Sequence, residues 1–280
     1  MVSTAEATMT LAREEENLSF DFGPPPPTFT DKLEERAYIK ERLALAYRVI
    51  AREHLCEGAS GHLTSRDSVD PSSFWVVPYG LHFSRVKASD LLLVSHSGAV
   101  IAGGHPSRQS YNSAAYIIHS AIHAARPDIK SIVHCHSPSG KAFSTLGRPL
   151  PYYTQDSAVF YNDVGLYGQH GGVVLNSKES REIVKAMGEK KAVILQNHGL
   201  LAAGGCIESA VAWFMLLENE CRCVLAAEAA AAMTGQKPIS LSPEVAEFTW
   251  RETGTEAGGR FEGMPFFDLV EEECAGAHRG

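Results

Sequence analysis

The segment Ser131-Ile132-Val133-His134-Cys135-His136-Ser137 places two imidazoles two residues apart in an apolar, β-branched run. In an extended strand alternate side chains share a face, so His134 and His136 project together while Val133 and Cys135 face the other way. Two neutral imidazoles side by side can hold a divalent metal at about 2.0–2.1 Å, but need at least one further ligand from elsewhere in the fold. The evident donor is His198, in Leu195-Gln196-Asn197-His198-Gly199, where an apolar strand-like run meets a glycine that permits a turn. Spacing alone also fits two ordinary polar strand residues, so the metal centre is an expectation at this point. Imidazole-rich sites accept Zn, Fe, Ni or Co; zinc is the ion expected here, with Fe(II) as the alternative.

A second chemical stretch is Ala59-Ser60-Gly61-His62-Leu63-Thr64-Ser65-Arg66-Asp67. Main-chain N–H groups around Gly61, the imidazole of His62 and the hydroxyl of Ser65 could cradle a carboxylate or phosphate, with Arg66 neutralising it bidentately. A plain turn in which Arg66 pairs with Asp67 or a more distant acid fits the same residues. His119 is a candidate proton donor or hydrogen-bond partner of a bound oxygen, or equally a helix-packing histidine. Tyr161, in Phe160-Tyr161-Asn162-Asp163, is a second candidate proton donor. His82 beside Tyr79-Gly80 is a possible pocket-edge residue, and His96 reads as a turn residue.

These groups need elements to position them. A first helix is expected to start near Asp31, a side chain suited to capping, and to run through residue 54 with Leu33, Ala37, Leu43, Tyr47 and Ile50 on one face. Phe74-Trp75-Val76-Val77 reads as a strand, and Leu91–Val94 and Ala99–Ile101 as a hairpin around His96-Ser97-Gly98. Asn112 caps an expected helix over Ser113–Ala125 that delivers the chain through Arg126-Pro127-Asp128 into the histidine strand. After the apolar run Val173-Val174-Leu175, a helix is expected to start at Asn176 or Ser177 and to stop at Gly188. Ala192–Leu195 carries His198 toward its end, and a long Ala- and Leu-rich helix covers about 208–233. From Pro238 onward periodicity fades. Helices alternating with strands are the ingredients of an α/β layer.

With 280 residues and 44% hydrophobic side chains, the chain can bury a substantial core. Residues 1–30, with Pro24-Pro25-Pro26-Pro27, read as a flexible arm; 31–235 as the metal-binding domain; and 236–280 as a C-terminal extension packing on the core or on a neighbouring subunit. Six cysteines without a CxxC pair favour reduced thiols and a cytoplasmic location. Neither a secretory leader nor a membrane span is expected. A net charge of −8 without a strongly basic stretch argues against nucleic acid as a partner, while a small anionic substrate remains compatible with local cations.

Taken together, Ser60–Asp67, Arg126–Pro138 and Gln196–Leu200 resemble the class II aldolase/adducin N-terminal-domain family, particularly a fungal branch, over about residues 35–235. The resemblance implies a three-layer α/β/α fold around a mainly antiparallel, nine-stranded central sheet. It also implies a homo-oligomer, commonly a tetramer, with sites near subunit boundaries, and assigns His134, His136 and His198 to the three metal-ligand positions. Sugar-phosphate aldolases of this family carry a catalytic acid in the helix before the histidine pair; the matching position here, 19 residues before His134, is Ala115, and no acid lies between Tyr111 and Ala125. The family's phosphate-gripping Gly-Asn pair is replaced by Gly61-His62. The first departure means that the customary acid/base residue does not carry over; the second argues against a sugar phosphate and leaves room for a carboxylate or keto acid.

The leading functional expectation is therefore a metal-dependent carbon–carbon lyase, aldolase-like or decarboxylating, acting on a small oxygenated carbonyl or carboxylate compound through a metal-stabilised enolate. A non-haem Fe(II) oxygenase performing oxidative decarboxylation is the second reading. A non-enzymatic adducin-like interaction module is the third, weakened by the retention of all three histidines.

Overall fold

Asp31 closes the N-terminus of the first helix, α1 (Lys32–Arg52), by accepting from the Leu33 N–H at 2.8 Å. Its buried residues Leu43, Leu45, Tyr47, Val49 and Ile50 meet the sheet, while charged residues occupy its outer face. In the computed structural model, which describes residues 20–172 and 177–280, the strands are β1 (His62–Arg66), β2 (Phe74–Val76), β3 (Leu92–Val94), β4 (Val100–Gly103), β5 (Ser131–Cys135), β6 (Val164–Tyr167), β7 (Ala192–Leu195) and β8 (Gly199–Gly204). They form one sheet in the order β4-β3-β2-β1-β5-β8-β7-β6. Every neighbouring pair is antiparallel except β6 with β7. Eight strands are thus present among the described residues against the nine implied by resemblance. The apolar run Val173-Val174-Leu175, and most of the arm expected at 1–30, lie outside the described residues.

Strand alternation sorts the sheet's side chains onto two helical layers. Leu63, Val133, Cys135, Ala192, Ile194, Leu200 and Ala202 share a core with α1 and with the long helix α6 (Ile207–Thr234). Their sequence neighbours Ile132, Val193, Leu195, Leu201 and Ala203 pack on the opposite face against Ile118 and Ile122 of α2 (Ser113–Ala125) and Ile183 and Met187 of α5 (Ser177–Met187). This is the three-layer α/β/α arrangement. It puts His134 on the α2 side and Cys135 on the α6 side. Two short helices, α3 (Pro138–Ser144) and α4 (Gln155–Ala158), connect β5 to β6.

The C-terminal region differs from the fading periodicity read in the sequence. It forms two helices, α7 (Pro243–Thr253) and α8 (Glu256–Cys274), and α8 buries Phe267 and Val270 in the α6-side core. Glycines and Pro265 mask the pattern. Gly259 is there because α8 approaches α6 closely: a Cβ at this position would lie 2.2 Å from the ring of the buried Trp213.

Candidate metal centre

His134 occupies β5, and its Nδ1 lies 2.8 Å from the Leu200 carbonyl of the adjacent strand β8. A carbonyl only accepts, so Nδ1 carries the proton and the Nε2 lone pair faces away from the sheet. His136 follows the strand on the same side. His198 sits in the tight turn between β7 and β8, where Asn197 adopts a left-handed φ of 55° and the His198 N–H reaches the Leu195 carbonyl at 3.0 Å. Gly199 lets that turn close on the histidine strand, since a Cβ there would lie 3.0 Å from the Cys135 carbonyl oxygen. The potential ligand atoms of the three histidines fall within 4.8 Å of one another, and the Nε2 atoms of His136 and His198 are 3.0 Å apart. Nitrogen ligands at about 2.0–2.1 Å from one tetrahedral ion stand roughly 3.3 Å apart, so the donors fit a divalent metal with small side-chain adjustments.

Electrostatics favours neutral ligands. Burial lowers the pKa of His198 to about 4, with the neighbouring His136 adding to it. Burial also lowers His136 and holds His134 well below the ordinary histidine value, the latter helped by His198. All three rings are therefore neutral at neutral pH, each with one nitrogen lone pair free, as metal ligation requires.

A second histidine group lies behind the first. β1 pairs with β5 in the register His62 opposite His134, and the two rings have centroids 5.2 Å apart. The His62 ring then meets His119 of α2 at 4.1 Å. The Thr64 hydroxyl bridges His119 Nδ1 at 2.8 Å and His123 Nε2 at 3.0 Å. His62, His119 and His123 are all buried, yet both ring nitrogens of His62, Nε2 of His119 and Nδ1 of His123 have no protein partner. His62 borders a pocket of about 600 Å³ that also contains the three ligand histidines, whereas His119 does not reach it.

Other sequence candidates are placed differently. Gly61 borders the pocket, and a Cβ there would stand 3.0 Å from the His134 carbonyl. Ser65 and Arg66 do not join the histidines. Ser65 points to the opposite face and shares a hydrogen bond with Ser131 at 2.6 Å. The Arg66 guanidinium donates to the carbonyls of Pro71 and His123, each at 2.7 Å, and to that of Ile129. It is spent tying β1 to the end of α2, and both residues border a separate cavity of about 320 Å³. Asp67 takes Arg36 at 2.7 Å instead of Arg66. Tyr161 packs against Tyr152 and is absent from the pocket wall. His82 caps a short turn, donating nothing to the pocket, though Tyr79 nearby does border it.

Ala115 lines the pocket, so the position where the family resemblance places an acid presents a methyl group to it. Glu57 and Lys141, which the sequence reading passed over, also line it and form an ion pair at 2.7 Å. Asn112, His170 and Asn197 complete its polar rim.

The loop after His136 is fixed by a buried carboxylate. Glu218 of α6 accepts from the Ser137 hydroxyl at 2.5 Å, the Ser139 N–H at 2.7 Å and the Gly140 N–H at 2.6 Å. It thereby satisfies the free N–H groups at the start of α3. Replacing Glu218 by Ala leaves these donors without a partner and should destabilise the protein by about 2 kcal/mol. Urea denaturation checks this, and a loss below roughly 0.5 kcal/mol would show that the loop holds itself.

Residues 41–225 match the family model of the Class II Aldolase and Adducin N-terminal domain. The decarboxylase NovR of Streptomyces niveus is 36% identical over 236 residues, 84% of this chain and 84% of the relative. A 4-hydroxy-3-prenylphenylpyruvate oxygenase/4-hydroxy-3-prenylbenzoate synthase of Streptomyces roseochromogenus subsp. oscitans is also 36% identical over 236 residues, 84% and 82% of the two chains. The solved structure of L-fuculose 1-phosphate aldolase from Glaciozyma antarctica PI12 superposes with a TM-score of 0.85 at 45% identity, covering 91% of this chain and 97% of that one. The protein belongs to the class II aldolase/adducin family. Its fold is the class II aldolase fold, and the coarse chemistry of the family, metal-dependent lyase or decarboxylase, is its functional setting. Among the described residues no helix is long and apolar enough to cross a membrane.

Proposed function

We propose that this chain is a zinc-dependent carbon–carbon lyase of the decarboxylating or aldolase-like type, working in the cytoplasm as a homotetramer on a small carbonyl or carboxylate compound. The observation that carries the reading is the clustering of three neutral imidazoles, from His134, His136 and His198, in the wall of one pocket. A divalent metal held there would supply a Lewis acid that polarises a substrate oxygen. The chain's own groups do the rest. His62 presents unpaired ring nitrogens beside His134 and is placed, as a neutral imidazole, to donate a hydrogen bond to a substrate oxygen, with His119 packed behind it to fix the ring. The methyl of Ala115 gives no second base, which favours bond cleavage that releases a stable neutral fragment such as carbon dioxide over sugar-phosphate cleavage. The names of the decarboxylase and oxygenase relatives support this substrate class.

A second reading, an Fe(II) oxygenase, is favoured by the same all-histidine donor set, which suits iron as well as zinc, and by the name of the oxygenase relative. The deciding experiment screens hydroxyketones, β-ketoacids and α-hydroxyacids with zinc- and iron-loaded protein, anaerobically and in air, following products by mass. Anaerobic turnover with zinc is expected. Product that requires both Fe(II) and oxygen would replace the lyase by the oxygenase, and full metal occupancy without turnover would favour an interaction module. Ala115→Glu is expected to gain sugar-phosphate cleavage; efficient cleavage by the wild type would refute the argument from Ala115. Sedimentation as a lone 30.3 kDa species would remove the tetramer from the reading.

A further inference from the structure

We infer that Lys141 is the recognition point for a second anionic group of the substrate, a carboxylate distal to the atoms held at the histidines, and that Glu57 occupies this point until substrate displaces it. The inference rests on the metal-site reading above and deepens it by defining the substrate class as one with two separate oxygen-rich ends.

Lys141 is the sole lysine or arginine bordering the histidine pocket among the described residues, and Glu57 the sole aspartate or glutamate. Arg66, the cation expected from sequence to meet an anion, is spent on backbone carbonyls at the far end of β1, beside the end of α2. Any anionic group entering beyond the histidines therefore has one fixed positive side chain to meet.

The two partners of the ion pair are held unequally. Lys141 stands on α3, whose first turn is clamped by Glu218 through three hydrogen bonds directly after His136. Glu57 stands on the connection between α1 and β1, and its local backbone tie is a single bridge to Ser60. Lys141 holds the Glu57 carboxyl below its usual range, so Glu57 is ionised and resembles the carboxylate it would yield to. The side chains of Lys141 and Glu57 are 39% and 60% exposed, and an ion pair this wet is weak enough to exchange. Three neutral histidines with a divalent ion also leave that end of the pocket cationic. A ligand with a hydroxy- or keto-carboxylate at one end and a carboxylate at the other then complements both ends at once.

L-Malate and L-lactate are the test pair: both offer a hydroxyl beside a carboxylate, and malate adds the distal carboxylate. Elemental analysis first measures zinc in the wild type, Lys141→Gln and Glu57→Gln, and calorimetry then measures binding of each acid. The wild type should bind malate about tenfold more tightly than lactate, the size of one charge-assisted contact. Lys141→Gln should erase that preference with zinc content unchanged. Glu57→Gln should tighten malate several-fold and leave lactate as it was, because a competitor has been removed. A purely structural ion pair would instead weaken malate binding, or leave it unmoved, in both variants. The inference is overturned if zinc-loaded wild type does not prefer malate, if Lys141→Gln keeps the preference, or if Glu57→Gln weakens malate binding or leaves it unmoved. Zinc-free wild type would instead fail the metal reading, whereas full zinc with a preference indifferent to Lys141 fails this inference alone.

Discussion

Protein carrying His136→Ala should emerge from chelator-free purification with almost no divalent metal, where one ion per chain is expected in the wild type. A catalytic metal site of this kind has three protein ligands and keeps one position open, so removing one leaves only two imidazoles against water and competing buffers. His134 and His198 cannot repair the loss by moving together, because each is fixed by its backbone: His134 through the Leu200 carbonyl and His198 through the turn at Asn197 and Gly199. Added zinc should raise the thermal stability of the wild type and leave that of this variant unchanged. An ion at one hundred times its Kd contributes about 2.7 kcal/mol to a folded state that alone binds it. Equal metal content in the two proteins, by elemental analysis, would defeat the assignment of the ligands.

The pair His134 and His136 was legible in the sequence because strand geometry is local, whereas His198 joins it only through the pairing of β5 with β8. Alternation alone puts His134 and His136 on one face, and the apolar run ending at Gly199 marks where His198 turns inward. The capped helices at Asp31 and Asn112 were equally local, each set by a side-chain oxygen and the N–H groups two or three residues on. What sequence could not yield was pairing across distance. His62 faces His134 only because β1 lies beside β5 in that register, a fact of long-range strand pairing. Glu57 and Lys141 are separated by strands β1 to β5 and helix α2, and neither belongs to a motif. Arg66 misled because a guanidinium suits an anion and a ring of carbonyls equally well; which one it meets depends on where α2 ends. In α8 the glycines required for close packing, Gly259 against Trp213 and Gly263 against the Glu208 backbone, are among the residues that erase helical periodicity.

Metal-free protein should become much less stable between pH 7.5 and pH 5.0, well above the range in which carboxylates titrate. Burial depresses His62 to about 3, helped by His198 and His136, and depresses His123 to about 3, helped by Arg66. Released into the unfolded chain, each returns to about 6.5. Between these values the unfolded state binds a proton that the native state refuses, so stability rises with pH. The contribution is complete above the unfolded value and is lost as pH falls from there toward the folded one. At pH 5.0 each of these two rings costs about 2 kcal/mol, since one pH unit corresponds to about 1.36 kcal/mol, giving on the order of 4 kcal/mol for the pair. His119, also pushed well below the ordinary value by burial and then by His62, acts in the same direction. A domain's whole stability is about 5–15 kcal/mol, so this loss is large. Its window separates it from the buried acids: Asp67 has its carboxyl held low by Arg36, the Asp70 N–H and Trp75 against the opposing effect of burial, and releases its contribution only below the ordinary aspartate range. Urea denaturation of chelator-treated protein at the two pH values measures the difference directly. A change of less than about 1 kcal/mol would mean that the imidazoles accept protons inside the fold, and that the unpaired ring nitrogens of His62, His119 and His123 find acceptors there.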